Sequence, residues 1–431
     1  MNADGQAIHT GSAPSAIAAA YRARTPKSAA MQARAKAVQP GGNSRQAACW
    51  PPYPLTIERA EGVHLFDIDG HRYIDLLNNY SAMVHGHAYP PIVEAVARQV
   101  ARGTGWAASN PAQVELAERM VARVPGLEQI RFTNSGSEAG NLALTIARTV
   151  TGRHKVLMAR YGYHGSLEEF ESGSFDRPGP MTLLATYNDL ADFERVLAAH
   201  GDEIAAVFLE PVLGSGGVLA ADPAFLNGVA GAAHDAGALF VLDEVITLRL
   251  ASGGVQGQLG ITPDLTMFGK LLGGGFPVGA VGGLAKWLAI FDPDHMKAFH
   301  SGTFNANPVT MTAGAIALAE LTPRRIDAMA ALARRLETGL ARAAQKTGLA
   351  LSIARVGSLL NLYFSDRVPS ARAMREDEDV IARFHLAALN HGLFLAPRGM
   401  IALSTVMDDV LIDEVVDRAA AAMADVAAEL S

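Results

Sequence analysis

Lys270 closes an apolar run in the stretch DLTMFGKLLGGGFPVGA, residues 264–280. The run Leu265–Phe268 ends in Gly269 and Lys270, and the glycines Gly273–Gly275 follow two leucines later. Lysine is almost never fully buried without a partner. Lys270 is therefore either a solvated charge at a strand end or a reactive amine held in a site. Other polar groups fall at the ends of comparable runs. Asn134-Ser135-Gly136-Ser137 follows Ile130–Thr133, Tyr163-His164-Gly165 follows Lys155–Met158, Glu210 ends Ala205–Leu209, and Asp243-Glu244 ends Leu239–Leu242. One polar strand end is common, but several at one edge are better explained by a ligand site.

The stretch Asn134–Glu138 supplies the second kind of chemistry. Ser137 or Ser135 can cap a helix starting near residue 137, and Gly136 lets the backbone approach closely. A strand, a small-residue turn and a helix N-terminus form a phosphate cradle, although alone they also describe an ordinary capped turn. No GxxxxGK[ST] occurs, and no GxGxxG opens the α/β region, so neither a P-loop nor a nicotinamide fold is supported. A phosphate cradle, a lysine amine and a strand-end aspartate together meet the needs of pyridoxal phosphate. Its aldehyde forms a Schiff base with lysine. Its ring acts as an electron sink when a carboxylate keeps the pyridine nitrogen protonated. Asp243, directly after its strand, suits the last role. Tyr163 and Val245 suit the two ring faces.

The elements that must position these groups follow from periodicity. From about residue 90 to 320, helices alternate with short apolar strands. Strands are expected at Ile130–Thr133, Lys155–Met158, Met181–Ala185, Ala205–Glu210, Leu239–Asp243, Leu265–Phe268 and Ala280–Leu284. Helices are expected at 91–102, 111–123, 137–150, 189–199, 222–236 and 308–320. This alternation predicts an α/β domain with a largely parallel sheet flanked by helices. Ahead of it, 55–76 reads as a small antiparallel element with a hairpin at Asp69-Gly70. Residues 1–40 read as an Ala/Ser/Gln-rich N-terminal arm, partly helical at best. The predicted division is arm 1–40, N-terminal part of a small domain 41–85, large cofactor-binding domain 86–322 and C-terminal small α+β domain 323–431. The last ends in a helix over Val410–Leu430. No internal repeat or heptad seam is visible.

Bulk properties bound the function. The 431 residues are 49% hydrophobic and 18% charged, enough for a substantial core. A net charge of −7 argues against a nucleic-acid binder. No window approaches a membrane span. The single cysteine, Cys49, excludes an intrachain disulfide and a cysteine-built zinc site; it reads as a bystander, and no metal is expected. A cytoplasmic protein fits these features. Residues 1–57 carry six basic residues and one acid, Asp4, a composition similar to a transit peptide. Because Ala- and Arg-rich sequence runs through the whole chain, a surface arm is the favoured reading.

On these residues the chain resembles a class III aminotransferase of fold type I, in the branch of glutamate-1-semialdehyde aminomutase and the β-amino-acid (β-phenylalanine) aminotransferases. The matching pieces are FTNSGSEAGNLAL (132–144), YGYHG (161–165), FLEPV (208–212), LFVLDEV (239–245), PDLTMFGKLLGGGFPVGAVGG (263–283) and HSGTFNANP (300–308). The resemblance weakens before residue 38 and between about 325 and 390. It implies pyridoxal 5′-phosphate bound to Lys270, a phosphate cup at Gly136 and Ser137, and Glu210 as a strand-end acid near the cofactor. His164 is either a supporting or a packed residue, and Arg249 a structural one. The resemblance further implies that Thr303 reaches the cofactor phosphate of a neighbouring subunit, hence a homodimer with shared sites.

Two arginines lie outside the central sheet: Arg45 in PGGNSR and Arg398 in APRG. Each is a solvated charge or a carboxylate fork. In the β-amino-acid aminotransferases the N-S-R and P-R-G patterns carry carboxylate-binding arginines, whereas the aminomutases have proline after the N-S pair. The resemblance therefore implies a ping-pong transaminase, moving an amino group between a β-amino acid or related amine and an α-keto acid through a lysine aldimine. The alternative is an aminomutase of the glutamate-1-semialdehyde type. A cofactor-binding regulator would need a DNA-reading module, and none is visible. No specific residue supports a decarboxylase or racemase.

Overall fold

The computed structural model describes residues 15–174, 176–376 and 378–431; residues 1–14 of the expected arm lie outside the described residues. The chain divides into two compact units. One runs to Tyr80, resumes at His85–Tyr89 and returns with Ala328–Ser431; the other comprises Ser81–Val84 and Pro90–Asp327. Among the described residues no helix is long and apolar enough to cross a membrane.

In the first unit the described part of the arm is helical over Ala16–Arg24 and Pro26–Lys36. Its sequence lacks the periodicity that advertises a helix, and short helices gain most of their stability from tertiary contacts. Those contacts come from distant carboxylates. Glu429 Oε1 accepts from Ser15 Oγ at 2.8 Å and Ile17 N at 2.7 Å. Asp69 accepts from Lys27 N at 2.7 Å, Ser28 N at 2.9 Å and Ser28 Oγ at 2.7 Å. Each carboxylate satisfies N–H groups that a helix start leaves orphaned. Ile17 and Tyr21 are buried. Asp69 sits at the tip of the expected hairpin. The strands here are β1 (Ile57–Glu61), β2 (His64–Asp67) and β3 (Arg72–Asp75), antiparallel in order.

The second unit is built on β4 (Gln129–Thr133), β5 (Lys155–Ala159), β6 (Thr182–Ala185) and β7 (Ile204–Leu209). A two-stranded ribbon follows, β8 (Val212–Leu213) with β9 (Leu219–Ala220). Then come β10 (Leu239–Asp243), β11 (Leu265–Gly269) and β12 (Gly279–Gly283). Seven strands form one sheet in the order β4-β12-β11-β10-β7-β5-β6. Only β12 runs antiparallel to its neighbours. Every residue of β7, β10 and β11 is buried, as expected of parallel strands covered on both faces. These strands fall on the segments their apolar runs indicated.

The chain returns to the first unit with β13 (Ser352–Val356), β14 (Leu359–Tyr363), β15 (Leu393–Phe394) and β16 (Met400–Ala402). Strand β15 pairs in parallel with β3, so the hairpin element is completed by residues far along the chain. The terminal helix Asp409–Leu430 buries Ile412, Val415, Ala419, Met423 and Val426 in a core with Leu336, Leu360, Phe384 and Ile401.

His385 lies beside this core, 1% exposed, with Trp50 edge-on at 5.0 Å between ring centroids. Burial pushes its pKa down to about 3. A histidine of ordinary pKa near 6.5 must then shed its proton to fold. Its contribution is unpenalised above about 6.5, and stability falls as pH drops from there towards 3. Between neutral pH and pH 5 the loss from this residue should be about 2 kcal/mol. His385→Phe should flatten that part of the slope. Denaturant unfolding of both proteins at the two pH values measures it; identical pH slopes would refute the assignment.

Candidate active site

Strand register brings the chemistry to one edge of the second unit's sheet. Gly269 at the end of β11 pairs with Gly279 at the start of β12, and Gly279 pairs with Thr133 at the end of β4. On the other side, Asp243 pairs with Met267, Leu242 with Leu209, and Phe208 with Met158. The residues after Thr133, Ala159, Leu209, Asp243 and Gly269 therefore leave the sheet along one edge, where α/β ligand sites form. Lys270 is half-buried with φ 45° and opens a short 3-10 turn, Lys270–Gly273. That left-handed backbone costs a residue with a Cβ about 1–2 kcal/mol and persists only where its surroundings impose it.

The cradle follows β4. Ser135 caps the helix Gly136–Thr151, its Oγ accepting from Glu138 N at 3.1 Å, while Glu138 Oε2 accepts from Asn134 N at 2.7 Å. Of the two serines proposed as cap, Ser135 holds the position. Ser137 Oγ instead accepts from Ser166 N at 3.0 Å, tying the helix start to the loop of Tyr163 and His164. A methyl on Gly136 would meet Val245 Cγ1 and Cγ2 at 3.6 Å, and one on Gly269 would meet Cγ1 at 3.3 Å. Val245 thus packs beside both the cradle and the residue preceding Lys270. The N–H groups of the first helical turn have no carbonyl one turn earlier, and the helix dipole favours an anion there.

Beside the cradle lies a buried acid cluster. Asp243 Oδ2 shares a proton with His164 Nδ1 at 2.8 Å, and Oδ1 accepts from Val245 N at 2.9 Å. His164 Nε2 is buried and has no hydrogen-bond partner among the described residues. Glu210 accepts from Tyr163 N and Gly214 N, both at 3.1 Å. Burial and the charge of Asp243 push its pKa up to about 7, against the opposing pull of His164. Glu244 accepts from Thr247 Oγ1 and Gln256 N, and burial, with Asp243 again adding, also pushes it up to about 7. Carboxylates crowded this way suit a ligand that presents a cationic nitrogen. With the anion cradle and the Lys270 amine, the donor set fits pyridoxal phosphate. Tyr163 is 43% exposed and Thr303 lies in the exposed segment Ser301–Phe304. Arg249 is 1% exposed and donates through Nη1 to Ser81 O at 3.1 Å, a packing role.

In the first unit, Arg45 lies against Tyr80, and the charge of Arg398 also acts on that hydroxyl. Burial raises the Tyr80 pKa, and the charges of Arg398 and Arg45 both oppose that rise. Arg45 Cζ lies 5.8 Å from the Tyr80 ring centroid, and Arg45 Nη1 donates to Asn79 Oδ1 at 2.9 Å. Asn79 and Tyr80 escaped the sequence reading because no motif contains them. The signal available was the Asn-Asn pair before Tyr80, since asparagine tolerates left-handed backbone.

The sequence matches the family described as Aminotransferase class-III over residues 46–426. It is 40% identical over 419 residues to a β-phenylalanine transaminase of Variovorax paradoxus, covering 93% of this chain and 94% of that protein. It is 36% identical over 427 residues to a glutamate-1-semialdehyde 2,1-aminomutase of Rhodopirellula baltica, covering 94% and 97%. Among solved structures, an omega-transaminase from Sphaerobacter thermophilus superposes with a TM-score of 0.89 at 38% identity, covering 93% of this chain and 97% of that one.

The cradle depends on Gly279 lacking a side chain. A methyl there would stand 1.9 Å from Ser135 O, a backbone atom that no rotamer change can move aside. Gly279→Ala should cost about 1–3 kcal/mol of stability and loosen cofactor retention on dialysis. Gly231→Ala, where a methyl meets nothing within 4 Å, is the control and should be neutral or slightly stabilising. Thermal midpoints and retained cofactor of the two variants check this.

Proposed function

The chain belongs to the class-III aminotransferases, and we propose that it moves an amino group between a β-amino acid, or a related amine, and an α-keto acid. It is a pyridoxal-phosphate-dependent transaminase with a largely parallel α/β core. The substrate class rests first on the Arg45 guanidinium, seated beside the Tyr80 ring and hydrogen-bonded to Asn79 Oδ1, with Arg398 as the second candidate fork. Two guanidinium forks can serve carboxylates set at different distances from the reacting carbon, one for each half-reaction. The similarity to the β-phenylalanine transaminase supports the same reading. The aminomutase alternative moves the amino group within one molecule and needs no second keto acid.

When bound, pyridoxal phosphate would supply a carbonyl carbon and an electron-accepting ring. The chain's residues do the rest. Gly136 and Ser137, at the helix start, would hold the phosphate. Asp243, hydrogen-bonded to His164, would hold the ring nitrogen in its protonated form, since an opposite charge favours the charged form. Val245 and Tyr163 would pack against the two ring faces. Glu210, held between Tyr163 N and Gly214 N, fixes the loop that carries Tyr163 and His164. The Lys270 Nζ would take the proton from the substrate carbon bearing the amine and deliver it to the cofactor carbon joined to that nitrogen, reversing the transfer in the second half-reaction.

The enzyme in this reading is a homodimer in which Thr303 serves the partner's cofactor phosphate. Met296, Phe299 and Phe304 are 57%, 78% and 66% exposed, an apolar surface suited to association. Beside them a groove of about 1360 Å³ is lined by residues including Arg131, His300, Gly302 and Asn305. A cytoplasmic setting, where the exposed Cys49 stays reduced, belongs to the same reading.

Lys270→Ala should lower turnover by about 10⁴-fold or more, and Asp243→Asn should depress it strongly while leaving the fold intact by circular dichroism. Near-normal turnover of Lys270→Ala without added amine would overturn the assignment. The wild-type enzyme should require pyruvate or 2-oxoglutarate as a second substrate in a screen of β-amino acids and amines. Conversion of a single amino compound with no acceptor present would favour the aminomutase.

Sedimentation combined with assay should find activity only in the dimer, and Thr303→Ala should weaken cofactor retention. A fully active monomer at low concentration would remove the shared-site reading.

A further inference from the structure

Four consecutive residues with side chains adopt left-handed backbone: Asn78 at φ 50°, Asn79 at 50°, Tyr80 at 54° and Ser81 at 71°. Such a run survives only when its surroundings fix it, and here they do. Asp75, 1% exposed, accepts through Oδ1 from Leu77 N at 2.8 Å and Asn78 N at 2.9 Å, and Oδ2 meets His87 Nε2 at 2.6 Å. Asn78, fully buried, donates through Nδ2 to Ala402 O at 2.7 Å and to Asp75 O at 3.2 Å. The backbone is thus locked by an Asp–His pair and a buried amide, none of which faces Arg45.

The two side chains that this turn presents both go to the loop of Arg45. Asn79 Oδ1 accepts from Arg45 Nη1, and the Tyr80 hydroxyl donates to Ala47 O at 2.5 Å. The loop is stitched from its own side as well, with Arg45 N donating to Asn43 Oδ1 at 2.8 Å and Ala48 N to Arg45 O at 2.9 Å. An exposed arginine ordinarily samples many rotamers, and binding a carboxylate must freeze them. Here one of the five N–H donors is already engaged by Asn79, and a bidentate carboxylate needs only two of the others.

We infer that the left-handed turn Asn78–Ser81 is a specificity device: Asn79 and Tyr80 are positioning residues that preorganise the Arg45 fork for the carboxylate of the substrate. The inference rests on the proposed carboxylate role of Arg45, a residue one place ahead of the family match. Asn79 orients the guanidinium, Tyr80 lies beneath it and tethers the loop, and Asp75 with His87 holds both in the strained conformation. Carboxylated substrates gain from this arrangement, and amines without a carboxylate do not.

The test uses the holoenzyme and 3-phenylpropionate, a carboxylate without an amine, as a competitive probe. Asn79→Gly keeps a residue that adopts positive φ freely, so the fold and thermal midpoint should hold while the acceptor is lost. Its dissociation constant for the probe should rise about tenfold, the equivalent of one hydrogen bond to a charged group. KM for a β-amino acid should rise while kcat falls far less. Tyr80→Phe should weaken the probe in the same direction. Arg45→Ala should weaken it at least as much, and adding Asn79→Gly to Arg45→Ala should bring no further loss, because the two act as one unit. If Arg45→Ala weakens the probe but Asn79→Gly binds it like wild type, or if the two losses add, the positioning inference is overturned and the carboxylate role of Arg45 stands. If Arg45→Ala leaves the probe unaffected, both fall.

Discussion

Asp243 and His164 share a proton at 2.8 Å where neither is more than a few per cent exposed, and much of the second unit is arranged around that fact. A carboxylate taken out of water needs partners for its oxygens. Asp243 finds them in a backbone N–H and an imidazole, and its charge then raises the cost of charging Glu210 and Glu244. The consequence is a division of labour set by surroundings rather than residue type. One acid is paired with histidine, and its two neighbours are pushed towards neutrality.

How these groups meet is a matter of register more than of sequence distance. Lys270, Gly279 and Thr133 come to one edge because β12 turns back between β11 and β4. The antiparallel return places the cradle next to the amine without a crossover helix. It also requires a strand with no side chain where it passes Ser135, which is why Gly279 stands at the point of closest approach.

The parallel sheet was legible because strands buried on both faces read as unbroken apolar runs, and β7 and β10 are such runs. The strand-end positions of Lys270, Asp243 and the Ser135–Ser137 turn were legible because each lies at the end of an apolar run or directly after it. The pairing of His164 with Asp243 was not, since it depends on two loops meeting across three strands. The arm's helices were hidden because their caps, Asp69 and Glu429, are contributed by residues 42 and 412 positions away. The turn at Asn78–Ser81 was hidden for a related reason: its backbone is imposed by Asp75 and Ala402, and local propensity favours it only at the asparagines.

The two carboxylates that hold the arm have an implication for anyone handling this enzyme. Between Ser15 and Arg45 the chain is fastened at Glu429 and again at Asp69, with Tyr21 anchored to Tyr53 O in between. Two carboxylate clamps thus lie between Ser15 and the Arg45 loop. Cargo whose pull reaches Ser15 loads the Glu429 and Asp69 clamps before the Arg45 loop. The same cargo grafted into the stretch between Lys36 and Arg45 would act below both clamps and be felt directly.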